Sequence, residues 1–459
     1  MKEHQSSLFI FRRDLRLNDN TALLKACETS EKVITCFIFD DKQVGNSNDY
    51  KSEKSVQFML ESLNDLEEQI TKKGGKLLYF YGDTQKIVAQ IFKKKEIEAL
   101  FINKDYTPFA LKRDKELEKI AKKMEVDFYS FDDALLLDPD HIKTTKGTAY
   151  TVFTPFFRKA SLVKVSPPQR FSYKNISSQM GVGSSSNDVF KKVLKTKDKD
   201  TAVKGGRSEA LKLISKLSSF KNYNKIRDLP TESTSLLAAH NKFGTVSIRE
   251  VYHKARDKKV HSDFLKQLYW RDFFTQLAYH HPHVFGKAFR EKYQKIKWKN
   301  SKTLFKKWCE GKTGFPFVDA GMRQLNKTGF MHNRLRMLVA SFLVKNLHCD
   351  WRWGEKYFAQ KLVDYDPCVN NGSWQWAAST GADAQPYFRI FNAWTQQKKF
   401  DPDCEYIKKW VPELEKVDLK IIHSWNKKHD SVETDYYAPC VDHSITSREV
   451  KNFLHNFSL

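Results

Sequence analysis

The chain of 459 residues has no CxxC pair, no pairing of Cys with His at zinc-ligand spacing, and an odd count of seven cysteines. A disulfide framework and a zinc module are therefore excluded, and a reducing compartment is expected. No stretch approaches the roughly 20 apolar residues that a membrane-spanning helix needs. The start, MKEHQSSLFIFRRD, carries no long apolar run behind a basic cap, so a secretion leader is not expected. The expectation is a soluble intracellular monomer, with nucleus and cytoplasm left open. The β-rich runs near the start lack G-x-G-x-x-G and any Walker signature, which argues against a dinucleotide held in the usual way at a first βα turn. No internal repeat is visible. Acids are scarce: 79 Lys and Arg against 55 Asp and Glu leave a formal charge of +24. That imbalance suggests a polyanionic partner, although charge alone does not choose between DNA, RNA and an anionic membrane.

The length fits two domains. From Ser7 to about Phe131, the runs SLFIF, VITCFIF, KLLYFYG, ALFINKD and VDFYSF alternate with helical stretches. This predicts a doubly wound α/β domain over 1–135, a parallel sheet covered on both faces. SPPQRF, GVGSSSND and KTKDKDTAVKGG then mark a Ser-, Gly-, Pro- and Lys-rich texture. Residues 136–207 are read as an interdomain linker, surface-wrapped or mobile between Lys164 and Arg207. From Ser208 the apolar spacing becomes 3.6, and an all-α domain over 208–459 is predicted.

The densest cluster of chemistry lies between Asp364 and Lys399, DYDPCVNNGSWQWAASTGADAQPYFRIFNAWTQQKK. Asp364, Asp366, Asn370, Asn371, Trp374 and Trp376 crowd one short stretch, and acids and amides are costly to bury without partners. Something polar and planar is expected there. Arg336 in HNRLRM can pair with one of the acids. Asn333 and Met337 stand at i and i+4 and share a helix face, with Arg334 beside them. Thr234 and Ser235, in LPTESTSLLAAHNKFGTVS, offer hydroxyls and free N–H groups at a helix start, which suits a phosphate or an ordinary cap.

Taken with Pro316 to Lys345 and QLYWRDFF (Gln267 to Phe274), the cluster resembles the flavin-binding half of the photolyase and cryptochrome family. The likeness is closest to class I photolyases that split cyclobutane pyrimidine dimers, and it covers about Leu8 to Leu414, the rest to Leu459 being unmatched. FRRDLRLNDNTAL and NKDYTPFALKRD are similar to the family's N-terminal domain. The resemblance implies FAD, held by Tyr223, the stretch Thr234, Ser235, Leu236, Leu237 and Ala238, Phe264, Arg336, Asp364, Asp366 and Asn370. Arg336 and Asp364 would pair beneath the isoalloxazine, and Asn370 would face its N5. Ala238 replaces the usual Ser. Trp374, Trp351 and Trp298 fall on the proximal, middle and exposed positions of the family's electron relay.

DNA carrying a flipped pyrimidine dimer is the implied partner, met by Gln267, Trp270, Arg271, Asn333, Arg334, Met337, Trp376, Gln396, Lys398 and Lys399. Gln267, Asn333 and Met337 would touch the dimer itself. Gln267 stands where dimer-splitting photolyases usually carry Glu, and Ala393 alters the common FNP. No metal is expected. An antenna chromophore, folate or deazaflavin, is implied for the first domain without the sequence naming it. The implied reaction is light-driven dimer splitting by an electron from reduced FAD. A six-four photolyase is argued against by Asn333 and Met337, where two His would be needed. A cryptochrome-type photoreceptor is argued against by the short stretch after Leu414, and a bare nucleic-acid-binding protein leaves the Asp364–Trp376 cluster unexplained.

Overall fold

The structure, a computed structural model, describes residues 2–94, 96–170, 173–178 and 183–455. Its contacts divide the chain into two units. One runs to residue 199 and adds 203–221 and 235–282; the other comprises 200–202, 222–234 and 283 onward. The helices Arg207–Ser215, Ile248–Asp257 and Ser262–His280 therefore belong with the α/β unit rather than with the helical one, unlike the boundary expected at 208. The reason is local. Gly205, Gly206 and Arg207 donate their N–H groups to Glu61, Ser62 and Asp65 of the helix Glu53–Thr71, at 2.7, 3.0 and 2.9 Å. A Cβ at Gly205 would lie 2.1 Å from the Phe58 carbonyl oxygen, so only glycine permits this approach.

The first unit is built on five parallel strands, β1 (His4–Phe11), β2 (Ser30–Phe39), β3 (Leu77–Tyr81), β4 (Ala99–Asn103) and β5 (Asp127–Phe131), in the order β3-β2-β1-β4-β5. Helices over both faces explain why the strands read as unbroken apolar runs instead of alternating ones. Leu8, Ile10, Ile34, Leu100 and Ile102 form part of one core cluster. The strand order reverses between β1 and β4, and a crevice beyond their carboxyl ends is lined by Arg12, Asp14, Asn103, Asp105, Arg271 and Thr275. A buried charge cluster lies in the same unit. Arg16 and Arg249 reach Asp133 at 2.6 and 2.8 Å, and Arg249 reaches Asp19 at 2.9 Å. Burial alone would raise the Asp133 carboxyl, but the two guanidinium groups overcome it and hold the acid well below the usual range.

The polar segment after Lys164 is clamped in its described parts. Val33 and Ser177 donate to Asn175 and Val33 carbonyls, Lys76 donates to Ser177, and Ser184 donates to Tyr79 of β3. Tyr173, Ile176, Val189 and Val193 are buried, with Phe190 packed on Phe39 and Tyr79.

In the second unit the helices Lys302–Glu310, Pro316–Thr328, Asn333–Lys345, Trp351–Lys361 and Pro367–Ala378 surround a core that includes Trp308, Leu335, Leu338, Phe342 and Trp374. The helix His443–His455 closes a smaller cluster, setting Val450 and Leu454 with Ala288, Tyr293 and Ile296. No helix among the described residues is long and apolar enough to cross a membrane.

Candidate functional site

The chain turns between the helices Trp351–Lys361 and Pro367–Ala378, and both acids of the cluster lie in that turn. Asp364 accepts two hydrogen bonds from the Arg336 guanidinium, at 3.2 and 2.9 Å. This fork geometry fixes both planes, and Arg336 Nε is further directed by the Met331 carbonyl at 2.8 Å. Asp366 serves as helix cap, accepting from the N–H groups of Cys368 and Val369 at 3.0 and 3.2 Å, with Pro367 at the first helical position.

One turn into that helix the buried Asn370 donates Nδ2–H to the Glu355 carbonyl oxygen at 3.1 Å, and among the described residues no donor reaches its Oδ1. Asn371 is used differently. Its Nδ2 bonds the Val284 carbonyl and Glu355 Oε1, while its Oδ1 accepts from Gln375, whose own Oε1 accepts from the Phe289 N–H. Asn371, Gln375 and Glu355 thus form an amide ladder around a buried acid. Burial pushes the Glu355 carboxyl up to about 7. Sequence reasoning did not single out Glu355 or Gln375, since nothing in the spacing of WRWGEKYF marks its Glu as inward.

Trp374 and Trp351 are buried and Trp298 is half-buried. The Trp374 ring lies edge-on to Phe358 at 5.0 Å and to Trp308 at 6.1 Å between centroids. Gly354 makes room for it, because a Cβ there would sit 2.1 Å from the indole. The Trp298 ring meets Phe453 of the helix His443–His455 at 6.2 Å.

Asn333 Nδ2 lies 3.6 Å from Met337 Sδ, so these two side chains do share an exposed face. Their neighbour Arg334 is less free than the sequence suggests. It pairs with Asp228 at 2.8 Å and its guanidinium carbon lies 4.3 Å from the Phe400 ring centre. His332 caps the same helix, accepting from the Arg334 N–H, and burial brings its imidazole down to about 4. Trp376 and Gln396 are half-buried, and Lys398 and Lys399 are exposed. Tyr223 opens the short helix Tyr223–Ile226, with the Arg227 guanidinium over its ring.

In the other unit, Gln267 donates to the Asp263 carbonyl at 2.9 Å, one turn back on its own helix. Trp270 stacks flat on Phe153, with centroids 3.6 Å apart and an angle of 6°. One face of the indole is therefore already covered. Arg271 is turned inward, against the expectation of a DNA contact: it donates to the carbonyls of Ala134 and Asn241 at 2.5 and 3.3 Å. Phe264 is buried and stacks on Phe220. Leu236 has a left-handed φ of 53°, and the helix Ala238–Phe243 starts without a side-chain cap. The Ser235 hydroxyl instead meets the Leu237 N–H at 3.5 Å. Among the described residues, no group of three or more His, Cys, Asp and Glu is placed to hold a metal ion.

Two family patterns match this chain, that of the DNA photolyase over residues 7–171 and that of the FAD-binding domain of DNA photolyase over residues 264–456. The second extends past Leu414 and so takes in most of the stretch expected to be unmatched. The deoxyribodipyrimidine photo-lyase of Escherichia coli is 37% identical, with 94% of this chain and 95% of that protein aligned. An archaeal photolyase from Sulfolobus tokodaii, solved with two FAD molecules, is 42% identical with a TM-score of 0.90, covering 98% of this chain and 100% of its own. A bacterial class III photolyase from Agrobacterium tumefaciens superposes with a TM-score of 0.91 at 33% identity, over 100% of this chain and 98% of that one. With likeness of this extent along nearly the whole length, and a bidentate Arg–Asp pair beside a buried amide where the family pattern runs, the chain belongs to the DNA photolyase family.

Proposed function

We propose that this protein is a light-driven DNA lyase that splits cyclobutane pyrimidine dimers with FAD as its cofactor. The observation that carries this reading is Asn370. Its Nδ2 is tied to Glu355, which leaves Oδ1 as an accessible acceptor with no donor among the described residues, six residues beyond the Asp364 that pairs with Arg336. An acceptor fixed in this way suits the N–H that a reduced flavin ring carries, and a forked ion pair suits its polar edge. FAD, when bound and fully reduced, supplies the absorption of blue or near-ultraviolet light and the electron that opens the cyclobutane ring.

The chain's own residues then divide the remaining work. Asp366 fixes the start of the helix that carries Asn370. Tyr223 and the stretch Thr234–Ala238 are assigned to the FAD chain, and Phe264 to its surroundings. Trp374, Trp351 and Trp298 are assigned to bring electrons inward, a step that prepares the cofactor and takes no part in repair. Asn333 and Met337 offer an amide and a thioether on one face to the dimer edges, with Trp376 as a wall, and Gln267 and Trp270 are assigned to DNA on their own helix, Gln267 as a neutral donor. Arg334, Gln396, Lys398 and Lys399 are assigned to the DNA backbone, whereas Arg271, being internally bonded, is assigned to hold its own unit together. A six-four substrate would call for His at positions 333 and 337, and the nearby His332 is buried as a helix cap.

For the antenna, the general rule for such sheets points to the carboxyl ends of the strands at the β1–β4 reversal. The second FAD of the archaeal relative adds a flavin to the folate and deazaflavin classes. The deciding experiment incubates purified protein with an oligonucleotide holding one thymine dimer, in light and in darkness, with a six-four oligonucleotide in parallel. Light-dependent loss of the dimer alone is expected. Repair of only the six-four lesion would overturn the substrate, and a purified protein without a flavin absorption band would overturn the cofactor.

A further inference from the structure

Phe153 and Trp270 lie almost face to face, with ring centres 3.6 Å apart and planes 6° from parallel. Aromatic pairs favour an edge-on or offset arrangement with centres at about 4.5–7 Å, because each ring is negative on its faces and positive at its edge. The two rings alone would not choose this sandwich. What holds it is the packing of the helices on either side. Phe153 opens the helix Phe153–Ala160, and Phe156 and Phe157 recur on its face at i+3 and i+4. Phe156 packs on Phe273 at 5.5 Å, Phe157 meets Tyr269 edge-on at 5.3 Å, and Phe273 stands edge-on to both Phe153 and Trp270 at 5.7 Å. Phe274 adjoins the same indole at 5.5 Å and 31°. Tyr269, Trp270, Phe273 and Phe274 all belong to the helix Ser262–His280, so the two helices are keyed together around the pair. Phe153 is 3% exposed, whereas Trp270 is half-buried. Core packing explains Phe156 and Phe273. A disfavoured sandwich against an indole that still reaches solvent asks for a further reason.

We propose that Phe153 is the positioning residue of Trp270: it sets the indole plane before DNA arrives, so that a base turned out of the duplex stacks on a side chain already in place. The inference rests on the assignment of Trp270 to DNA and names the residue that makes that contact selective. An indole free to turn about its side-chain torsions must be immobilised when a base stacks on it, and this ordering cost subtracts from the gain of the stack. With Phe153 laid along one face, the ring cannot swing toward that side. Intact duplex keeps its bases paired and does not draw on the stack. The benefit of a preset indole therefore falls on damaged DNA alone, and a difference of that kind is what discrimination consists of. Phe153 is buried against Trp270 and acts through it.

The test compares the flavin-containing wild type with Phe153→Leu, which removes the flat ring but keeps an apolar side chain, Phe153→Tyr, which keeps the ring, Trp270→Ala, and the double variant Phe153→Leu/Trp270→Ala. Each is measured on an oligonucleotide with one thymine dimer and on the same sequence intact. Phe153→Leu should lower the preference for damaged over intact DNA by about two- to tenfold, the equivalent of one side chain left to be ordered on binding. The loss should appear in the apparent KM for the dimer and not in the quantum yield at saturation. Phe153→Tyr should restore most of the preference, and in the Trp270→Ala background Phe153→Leu should lower it no further. Equal weakening on both DNAs would show a merely structural role and overturn the proposal. If Trp270→Ala loses the preference while Phe153→Leu keeps it, the proposal is wrong and the assignment of Trp270 stands. If Trp270→Ala keeps the preference, that assignment falls and takes the proposal with it. A measurement on the unaltered sequence covers the case in which Phe153→Leu does not fold. With 5-fluorotryptophan in place of tryptophan, the fluorine resonance of Trp270, identified by its absence in Trp270→Phe, should be one narrow line in the free protein. A line broadened or split by exchange between ring orientations would overturn the preset plane.

Discussion

Glu355 has a buried carboxyl whose hydrogen bond comes from the neutral amide of Asn371, and burial lifts it to about 7. A folded-state value above the unfolded one means that the acid favours folding in its protonated form. Its contribution is fully present below the ordinary carboxyl range and is lost as pH rises toward 7. Glu355→Gln keeps an acceptor for Asn371 and has no charge to bury. Relative to wild type it should therefore gain on the order of 1–3 kcal/mol of stability between pH 5 and pH 8. Denaturant unfolding of both proteins at the two pH values measures this, and a difference that stays constant would show that Glu355 remains ionised in a hydrated site. At Gln267 the expectation concerns chemistry. The amide donates at every pH, whereas a Glu there must be protonated to donate, and a neutral donor stabilises a developing anion less adaptably than an acid that shares its proton. Gln267→Glu should hold or raise the quantum yield on a defined thymine dimer and add a pH dependence. Collapse of that yield would mean that the surroundings of residue 267 are built for the amide.

The helix Pro367–Ala378 illustrates how an element positions a site. Asp366 caps it through two N–H groups, so Asp366→Ala should cost about 1 kcal/mol and lower the melting temperature, while Asp366→Asn should retain most of the stability. The same variant should loosen FAD retention, because Asn370 stands one turn inside; unchanged melting and retention would deny the cap its role. In sequence this stretch reads as a site and not as a helix, because its polar and aromatic residues follow no apolar period; the five strands were readable as apolar runs between turn residues. Partners distant in sequence were not. Arg334 meets Asp228 and Phe400, and Arg271 meets Ala134 and Asn241, through contacts that no local spacing encodes. Two basic residues that read as phosphate contacts are thus partly or wholly committed within the fold. The segment after Lys164 was under-read for a related reason: Tyr173, Ile176 and Val189 are single apolar residues among Ser, Gly and Lys, without a period to reveal them.

For the whole molecule, the charge of +24 predicts binding to DNA that weakens steeply with salt, since each Lys or Arg on a phosphate releases counterions. The exposed Lys399 should account for one such contact, and Lys399→Ala should reduce the slope of log affinity against log salt by about 1 for damaged and intact duplex alike. A slope unchanged in that variant would place Lys399 outside the DNA track. Arg334→Ala should weaken binding and also cost stability, because it leaves Asp228 with only the longer contact to Arg227, at 4.0 Å. The clamped segment has a further consequence, for behaviour in concentrated solution. A β-sheet with an open outer strand invites a second molecule to add its own strand there. In this chain Ser184 pairs with Tyr79 on β3, the outermost strand, and residues 175–177 bond to β2 and to Lys76 next to β3. A stretch whose composition suggests a passive tether is thereby a guard against self-association. Mutations that detach it should show themselves first as aggregation, with the flavin-binding helices still folded.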